Sequence, residues 1–231
     1  MTADTKINWD DFRLVVFDVD GTLYSQKAMR LRMLGEILWH VALTRSLITP
    51  KILRIYRELR ETIGDQNVDG FEEVLIARAA EQTRVSSETI HALVSEWLER
   101  RPLAHIHACR YAHLVELFTA LKRHGKSIGI FSDYPAVEKL KALGLSADYI
   151  VAAGDANVGI LKPHPRGLEV LIKMAGVTPA ETVFIGDRTE RDGEVARRAG
   201  AQALIRSSKP LDGWVGFASF SDPLFAPLLG R

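Results

Sequence analysis

The chain has 231 residues, a net charge of +1, 47% hydrophobic residues and 26% charged residues. This is the composition of an ordinary soluble globular protein, and the balanced charge gives no reason to expect a nucleic-acid partner. The single cysteine, Cys109, excludes an internal disulfide and a multi-cysteine metal site. Residues 1–11 lack the pattern of a secretory signal, and no apolar run is long enough to span a membrane, so we expect a cytoplasmic protein.

The first predicted element is a buried strand that ends in acidic residues. Leu14 to Phe17 are consecutive apolar residues, which is the pattern of a strand covered on both faces in a parallel sheet. Asp18 and Asp20 follow, and Gly21 permits a sharp turn. Ligands bind beyond the carboxyl ends of strands in open α/β sheets, so both carboxylates lie where chemistry is expected. A divalent cation such as Mg²⁺ would relieve their repulsion, and a solvated Asp-Gly turn is the alternative.

The segment between residues 25 and 104 is predicted to be entirely helical. Its apolar residues recur at spacings of three and four, which is the pattern of amphipathic helices. Pro102 is expected to end this block. The predicted helices run over residues 27–40, 50–63, 70–83 and 87–100. We therefore predict an all-helical domain over residues 25–104, inserted into a core domain formed by residues 1–24 and 105–231.

The helical segment divides into a basic and an acidic half. Residues 27–60 contain eight Lys or Arg and two Glu, a charge of +6, whereas residues 61–100 contain nine acids and three Arg, a charge of −6. The basic half either attracts an anionic substrate or a lipid phosphate surface, or pairs with the acidic half. We expect Trp39 and Trp97, which occupy apolar helical positions, to pack inside this domain. The same expectation holds for the apolar stripe of the first helix, Leu31, Leu34, Ile37, Leu38 and Val41.

Strands and helices alternate again from residue 108 onward. Helices are predicted over 108–124, 135–143, 165–175 and 192–200, and strands over 127–131, 149–153, 182–185, 203–205 and 217–220. This order favours a parallel sheet with right-handed crossovers. The predicted fold class is α/β, with a Rossmann-like parallel sheet of five to six strands flanked by helices and carrying the inserted helical domain. Trp214, Phe217 and Phe220 are expected to seal the sheet edge, and a homodimer contact is the alternative.

Acidic, hydroxyl and basic residues follow several of the predicted strands. Because the carboxyl ends of parallel strands share one edge of a sheet, residues distant in sequence converge in one crevice. Together with the two first-strand acids, the residues expected there are Ser132, Asp133, Lys162, Asp187 and Asp192. Three histidines, His105, His107 and His164, are weighed as further crevice contacts against a purely structural role. Arg188 and Arg191 are expected to be ordinary surface arginines.

Four motifs occur in an order that resembles the haloacid dehalogenase (HAD) superfamily. They are DVDGT at 18–22, FSD at 131–133, Lys162 within LKPHP, and GDRTERD at 186–192. Together they frame residues 14–206. The chain is similar to HAD phosphohydrolases of the phosphoglycolate phosphatase type, with a helical cap inserted between the first and second motifs. The resemblance implies a Mg²⁺-dependent phosphatase that acts on a small phosphorylated metabolite.

The resemblance also implies a role for each matching acid. Asp18 would attack phosphorus and become an aspartyl-phosphate. Asp20 would protonate the leaving oxygen and later take a proton from water. Mg²⁺ would be held by the side chains of Asp18 and Asp187 and by the backbone carbonyl of Asp20.

The remaining motif residues would bind or orient the phosphate. Ser132 would donate a hydrogen bond to it, and Asp133 is assigned to the substrate site rather than to catalysis. Lys162 would pair with the phosphate and with Asp18, and Asp192 would orient Lys162 or a magnesium-bound water. The simpler readings are a turn cap for Ser132, a solvated loop lysine for Lys162 and a helix N-cap for Asp192.

Three other functions stay open at this point. A phosphomutase of the same superfamily shares all four motifs. A haloacid dehalogenase is less favoured, because displacement at carbon needs neither Asp20 nor a metal. A non-catalytic binding module that has kept the fold is the alternative from outside enzymology.

Overall fold

The computed structural model describes residues 7–230, and its centre is a single parallel sheet. The six strands are β1 (Leu14–Phe17), β2 (Ser127–Ser132), β3 (Tyr149–Ala152), β4 (Thr182–Gly186), β5 (Gln202–Arg206) and β6 (Val215–Phe217). Their order across the sheet is β3-β2-β1-β4-β5-β6, and every neighbouring pair is parallel. The predicted α/β class is confirmed, and the last strand lies slightly earlier in the chain than the sequence indicates.

The register of the central strands brings their carboxyl ends together. Every residue of β1 is fully buried, as expected for a strand with helices on both faces. Phe17, at its end, is paired with Ile130 of β2 and with Ile185 of β4. The residues that follow these three strands therefore emerge at one edge of the sheet.

Within the described residues, ten α-helices surround or extend the sheet. They are α1 (Gln26–Thr44), α2 (Ile48–Gln66), α3 (Phe71–Thr83), α4 (Ser87–Val94), α5 (Arg101–Cys109), α6 (Leu114–Arg123), α7 (Val137–Leu143), α8 (Arg166–Ala175), α9 (Glu194–Ala199) and α10 (Ala226–Leu229). The first five lie between β1 and β2 with no strand among them, and we call them the cap. Over residues 7–230, no helix combines the length and the apolar character that crossing a bilayer requires.

The predicted end of the helical block at Pro102 is wrong. A π-helical turn over Ser95–Arg100 joins α4 to α5, and the helical path continues to Cys109. Pro102 lies in the first turn of α5, directly after this wider turn. The proline lacks one N–H of this continuous path, and the π-helical turn before it changes the bonding from i→i−4 to i→i−5 at that point, so the chain stays helical. The chain returns to the core at Arg110, whose backbone forms a β-bridge with Tyr24.

The first cap helix buries a different face from the one predicted. Met29 and Met33 are buried, whereas the leucines at 31, 34 and 38 are 49–71% exposed. Trp97 is buried as predicted, but Trp39 is 68% exposed. Because α1 carries apolar residues on two faces, the sequence spacing does not decide which face meets the rest of the cap.

The C-terminal aromatic residues close one end of the core. Phe217 and Phe220 are buried, and both rings pack against Phe225. Trp9, from the start of the described chain, also stacks on Phe225. Phe217 and Phe220 are buried as predicted, whereas Trp214 is only half-buried and lies over Gly193.

Candidate active site

The four motifs meet at the carboxyl edge of the sheet around a buried lysine. The Lys162 Nζ atom lies 2.5 Å from Asp18 Oδ1 and 2.7 Å from Asp192 Oδ1. All three side chains are at least 93% buried. Burial would lower the pKa of Lys162, but the two carboxylates outweigh it and raise the pKa, so the ammonium stays charged.

Three carboxylates face one another beside this lysine. Oxygen atoms of Asp18, Asp187 and Asp192 lie within 4.8 Å of one another. The Thr22 hydroxyl donates to Asp18 Oδ2 at 3.0 Å and lies 3.5 Å from Asp187 Oδ1. Burial raises the pKa of Asp187 to about 6, and the charge of Asp192 adds to this effect. Burial likewise raises the pKa of Asp18 against the opposing charge of Lys162.

This donor set fits a hard divalent cation. Carboxylate oxygens are the ligands that Mg²⁺ prefers, and an added positive charge would keep Asp18 and Asp187 ionised. Gly21 adopts φ +112°, and a Cβ atom there would clash with the carboxylate of Asp187. The turn that the sequence predicts after β1 therefore needs glycine both for its backbone angle and for the closeness of Asp187.

Asp20 lies apart from the three clustered carboxylates. Its two carboxylate oxygens accept from Lys139 Nζ at 2.7 and 2.6 Å, and one also accepts from the Tyr24 hydroxyl. Its backbone carbonyl accepts from the Gln26 side-chain amide at 2.6 Å. Burial alone would raise the pKa of Asp20, but Lys139 outweighs it and lowers the pKa. The backbone carbonyl that the sequence analysis assigns to the metal is thus engaged by Gln26 in this structure.

Lys139 is a site residue that the sequence analysis missed. It lies in α7 and is 4% exposed, and it lines the same cavity as Asp18 and Asp20. The available signal was its place in the helix that follows the FSD motif, because such a helix starts at the carboxyl edge of the sheet. Because lysine side chains are usually exposed, the residue type favoured a solvated position instead.

The two residues after β2 have different surroundings. Ser132 is fully buried, and its hydroxyl accepts from the backbone N–H of Tyr134 at 3.2 Å. The Asp133 carboxylate accepts from the backbone N–H of Lys162 at 3.2 Å and lines the cavity. Asp133 therefore positions the loop that carries Lys162, while a phosphate contact by Ser132 stays a prediction.

Asp192 does more than cap a helix. One of its oxygens binds Lys162, and the other accepts from the backbone N–H groups of Asp187 and Arg188 at 3.1 and 3.0 Å. It lies within a π-helical turn over Thr189–Gly193. The carboxylate thus holds the lysine and the loop of Asp187 in a fixed relation.

The expectation that Arg191 is a surface residue is wrong. It is 6% exposed, and its guanidinium donates to the carbonyl of Lys162 at 2.7 Å. It also pairs with Glu61 at 3.0 Å and Asp65 at 2.7 Å, both on α2. Arg188 joins Glu61 as well, at 3.0 Å. The loop after β4 therefore contacts both the cap and the loop that carries Lys162.

Close backbone packing accompanies these ion pairs. A Cβ atom at Gly64 of α2 would lie 2.7 Å from Arg191 Nη1 and 3.1 Å from the carbonyl oxygen of Lys162. The Gly70 N–H donates to the carbonyl of Gly159 at 2.8 Å, so cap and core also share a backbone hydrogen bond. The end of α2 and the chain that follows it rest directly on the loops that carry the site.

The three histidines lie outside the cavity wall as the described residues form it. The His105 ring pairs with Glu36 inside the cap. His164 Nδ1 accepts from the backbone N–H of Arg166 at 3.2 Å, and His107 is exposed. These side chains have the structural or solvated roles that were weighed as the alternative.

A cavity of about 670 Å³ opens above the carboxyl edge of the sheet. Its floor contains the acids and lysines described above, and its upper wall comes from the cap. The cap residues in that wall include Met29, Met33, Leu34, Ile37, Trp97 and Leu98. The arrangement can hold a phosphate and a cation at the floor and the rest of a substrate against the cap.

Comparison with known proteins places this geometry in a family. Residues 12–200 match the haloacid dehalogenase-like hydrolase family model. A phosphoglycolate phosphatase from Shigella boydii serotype 4 is 26% identical over 219 residues, which cover 85% of this chain and 81% of that protein.

Solved structures share the fold at lower sequence identity. The putative HAD hydrolase YfnB from Bacillus subtilis, bound to magnesium, has a TM-score of 0.70 at 14% identity and covers 95% of this chain and 99% of its own. A 2-haloacid dehalogenase from Pseudomonas syringae pv. Tomato DC3000 has a TM-score of 0.64 at 20% identity, with the same coverage. Since the family model spans most of the chain, this protein belongs to the haloacid dehalogenase-like hydrolases.

Proposed function

We propose that this enzyme is a Mg²⁺-dependent phosphomonoesterase that works through an aspartyl-phosphate on Asp18. The observation that carries the proposal is the setting of that carboxylate. It is held by Lys162 Nζ at 2.5 Å and by the Thr22 hydroxyl at 3.0 Å, beside the clustered oxygens of Asp187 and Asp192. A carboxylate fixed in this way is oriented for attack. The ammonium beside it stabilises the negative charge of the phosphoryl group that is transferred.

The metal ligands follow from the same cluster. Asp18 and Asp187 would hold Mg²⁺ together with the backbone carbonyl of Asp20, and the bound ion would offset charge on the phosphoryl group. The magnesium bound to the B. subtilis hydrolase supports this choice of cation. Engagement of the Asp20 carbonyl by Gln26 is compatible with it, because a carbonyl oxygen has two lone pairs.

Asp18 and Asp20 would divide the chemistry between them. An oxygen of Asp18 forms a bond to phosphorus while the bond from phosphorus to the ester oxygen breaks, and Asp20 supplies a proton to the departing oxygen. Water then attacks phosphorus, its proton passes to Asp20, and inorganic phosphate leaves Asp18. The pair with Lys139 favours the ionised form of Asp20 that the second step needs and disfavours the protonated form that the first step needs.

Lys162 and Asp192 support both steps without exchanging protons. The ammonium of Lys162 offsets the charge of Asp18 and of an incoming phosphate. Asp192 prevents that ammonium from moving away, since it holds Lys162 Nζ at 2.7 Å. Ser132 and Asp133 complete the predicted phosphate site on the β2 side.

The proposal is tested with purified protein and a panel of phosphomonoesters. We expect phosphate release that requires Mg²⁺ and stops on chelation. Asp18→Asn should bring release to the background rate while the circular dichroism spectrum stays that of the wild type. Acid quenching during turnover should trap one phosphoryl group, and peptide mass spectrometry should place it on Asp18. A folded wild-type protein that releases no phosphate from any ester would contradict the proposal.

The rival functions predict different results in the same assays. A phosphomutase would also carry a phosphoryl group on Asp18, but it would form a bisphosphorylated intermediate, which analysis of the small molecules in the quenched reaction would detect. A dehalogenase would release halide from a haloacid after chelation of metal, and the P. syringae neighbour makes this control necessary. A binding module would release neither phosphate nor halide. The paired acids and Lys162 favour phosphoryl transfer over dehalogenation or binding alone, and the relative named above is a phosphatase rather than a mutase.

Finer properties of the protein stay predictions. They are the small phosphorylated metabolite as substrate, the homodimer, the cytoplasmic location and the division of the chain at residues 25 and 104.

A further inference from the structure

We propose that the substrate carries an apolar group beside its phosphate, and that the cap wall of the cavity binds that group. This inference rests on the proposed phosphatase function and adds the class of substrate. It starts from the shape of the cavity, which reaches from Asp18 at the sheet edge to α1 of the cap. The phosphate site occupies only the floor, so the wall opposite it must contact the remainder of the molecule.

The cap wall is built from regularly spaced apolar side chains. Met29, Met33 and Ile37 recur every four residues of α1, so they form one stripe that faces the cavity. Trp97 and Leu98 meet this stripe from the π-helical turn, and both are buried. Methionine side chains adapt their shape to different apolar ligands, and an indole ring provides a flat surface.

The indole ring of Trp97 is held in place. The Arg101 guanidinium lies 4.2 Å from its ring centroid and is itself paired with Glu36 and Glu96 at 2.9 and 2.7 Å. The His40 ring meets the indole edge-on at 5.0 Å. A ring fixed on two sides is a pre-formed wall, so a ligand does not need to order it.

Five arginines line the cavity. Two of them, Arg30 and Arg57, are exposed, so water and salt screen their charge. The other three offer little to a second anionic group. Arg60 is buried, lies 4.0 Å from the Tyr134 ring centroid and donates to the carbonyl of Asp133. Arg188 and Arg191 are paired with Glu61. These charges already have partners, so a substrate whose remainder is a carboxylate would gain little from them.

The size of the cavity agrees with an apolar substrate larger than phosphoglycolate. Sites of about 300–1,000 Å³ accommodate drug-sized ligands, and this cavity is about 670 Å³. A two-carbon acid phosphate would leave the apolar stripe in contact with water. An alkyl or aromatic group would cover it.

The test compares phosphoglycolate with ethyl, butyl, hexyl and octyl phosphate on the wild-type protein with Mg²⁺. We expect kcat/KM to rise along the alkyl series by up to about fourfold per buried methylene, until the wall is covered. A flat or falling series with efficient hydrolysis of phosphoglycolate would overturn this inference and leave the phosphatase proposal intact. If none of the esters is hydrolysed, the phosphatase proposal itself fails.

A matched pair of variants tests whether the dependence on alkyl chain length comes from the cap wall. Met33→Gln places an amide in the cap wall, and we expect kcat/KM for octyl phosphate to fall about tenfold or more while that for ethyl phosphate stays within twofold. Met174→Gln makes the same change at a half-exposed position of α8 and should alter neither value. Leu34→Gln, at a cavity residue that is 49% exposed, repeats the test if Met33→Gln does not fold. Equal losses for both esters would contradict an apolar subsite.

We also infer, from a different observation, that the outer face of α1 docks on an anionic lipid surface. We define this outer face as the apolar side chains that are 51–71% exposed at the end of the cap, namely Leu31, Leu38, Trp39, Leu43, Leu47 and Ile48. They belong to α1, to the turn that follows it and, for Ile48, to the first position of α2. Exposed apolar groups on one surface mark an interaction site, and a Trp and Leu face with basic flanks is typical of helices that lie in a membrane interface.

The charges around the outer face decide which occupant fits. Exposed Arg and Lys residues lie in the same segments of the chain, namely Arg30, Arg32, Arg45, Lys51 and Arg54. Of these, Arg30 also lines the cavity and Arg54 pairs with Glu58. The predicted pairing of the basic half with the acidic half does not occur: in the described cap, no basic residue of 27–60 forms an ion pair with an acid of 61–100. Four acids of 61–100 pair elsewhere: Glu61, Asp65 and Asp69 with Arg188, Arg191 and Arg166 of the core, and Glu96 with Arg100 and Arg101.

A second copy of the chain is the weaker candidate for this face. Pairing two outer faces would bring the basic residues of both copies together, with Glu36 the sole acid between residues 26 and 57. That acid is engaged by Arg101 and His105. An anionic lipid headgroup layer attracts the same residues, so it is the occupant that the charges favour.

Vesicle sedimentation tests the docking. We expect the protein to bind phosphatidylcholine vesicles that contain phosphatidylglycerol, to be released by added salt, and to ignore pure phosphatidylcholine. Trp39→Ser should weaken binding several-fold, whereas Val115→Ser, at an exposed valine of α6, should not. Absence of vesicle binding, or a concentration-dependent dimer that Trp39→Ser abolishes, would overturn the docking.

Discussion

The floor and the cap wall of the cavity are held by opposite kinds of interaction. On the floor, charged groups fix one another: Lys162 lies between Asp18 and Asp192, and Lys139 holds Asp20. In the cap wall, helix spacing sets a stripe of apolar side chains, and Arg101 with its acidic partners holds Trp97 from outside the cavity lining. Under the proposed function, the floor determines which bond is cleaved, while the cap selects the substrate.

Removal of the central lysine is the strongest test of the charged floor. Lys162→Met leaves Asp18 and Asp192 buried without their shared cation, so we expect phosphatase activity to fall by at least about 10²–10³-fold. The free energy of unfolding should fall by about 3–5 kcal/mol, since a buried charge pair loses one partner. Steady-state kinetics and urea titration measure the two effects. Activity within tenfold of wild type would show that the floor does not depend on this lysine.

Two tryptophans of the cap provide the matching test for the apolar region. Trp97→Ala should lower the free energy of unfolding by about 3–5 kcal/mol, because it empties a buried site. Trp39→Ala should change it by no more than about 0.5 kcal/mol, because that side chain is exposed. Urea unfolding of both variants measures the contrast. Equal losses would mean that the outer face of α1 is covered in solution.

The turn after β1 tests how closely the metal ligands must approach the backbone. Gly21→Ala should weaken Mg²⁺ binding about 10–100-fold, because the new methyl group would displace the Asp187 carboxylate. It should also cost about 1–3 kcal/mol of stability through its φ of +112°. Gly213→Ala is the control, since Gly213 has φ +73° and open space around it. Calorimetric titration with Mg²⁺ compares the two variants. Equal Mg²⁺ affinity of Gly21→Ala and Gly213→Ala would contradict the assigned ligand set.

Lys139 tests the part of the floor that the motifs do not contain. Lys139→Met removes the cation that holds Asp20, so we expect kcat to fall about 10–100-fold with a smaller change in KM. Lys141→Met, on the exposed side of the same helix where it pairs with Glu138, should leave both constants unchanged. A similar kcat for the two variants would mean that Asp20 is held well enough without Lys139.

The smallest expected effect concerns the contact between floor and cap. Burial would raise the pKa of Glu61, but Arg188 and Arg191 outweigh it and lower the pKa below its ordinary 4.5. This stabilisation is present above pH 4.5 and is lost as the pH falls through the lowered value. Glu61→Gln should therefore cost about 0.2–1 kcal/mol at neutral pH and less in acid, measured by urea unfolding at both pH values. Glu58→Gln, whose pair with Arg54 is exposed, is the control, and a loss independent of pH would contradict the assignment.

The candidate floor was largely predictable because its residues follow strands. A buried apolar run followed by an acid and a glycine is a local signal. Parallel pairing of the strands then brings the acids to one edge of the sheet. Asp18, Asp187, Asp192 and Lys162 were placed together on this basis, and the structure brings them together. Asp20 was placed at the same edge, but its side chain turns to Lys139 instead of joining the other acids.

The errors concern helices and long-range charge pairs. Residues on α1 satisfy helical spacing on two faces, so the buried face depends on what the rest of the cap presents. Arginines are usually exposed, so the sequence suggests a surface position for Arg191. It is buried because it pairs with Glu61 and Asp65, which lie more than 120 residues earlier in the chain. Pro102 marks a helix end by the local rule, yet a π-helical turn before it keeps the path helical.

The sequence by itself determined the parallel sheet, the order of its motifs and the acids at its edge, because these depend on periodicity and on the chemistry of single turns. Only the tertiary structure decided which side of α1 faces the cavity, which lysine meets Asp20 and which acids meet Arg191. Those choices depend on contacts between segments far apart in the chain, where many pairings satisfy the same local pattern and packing selects one of them.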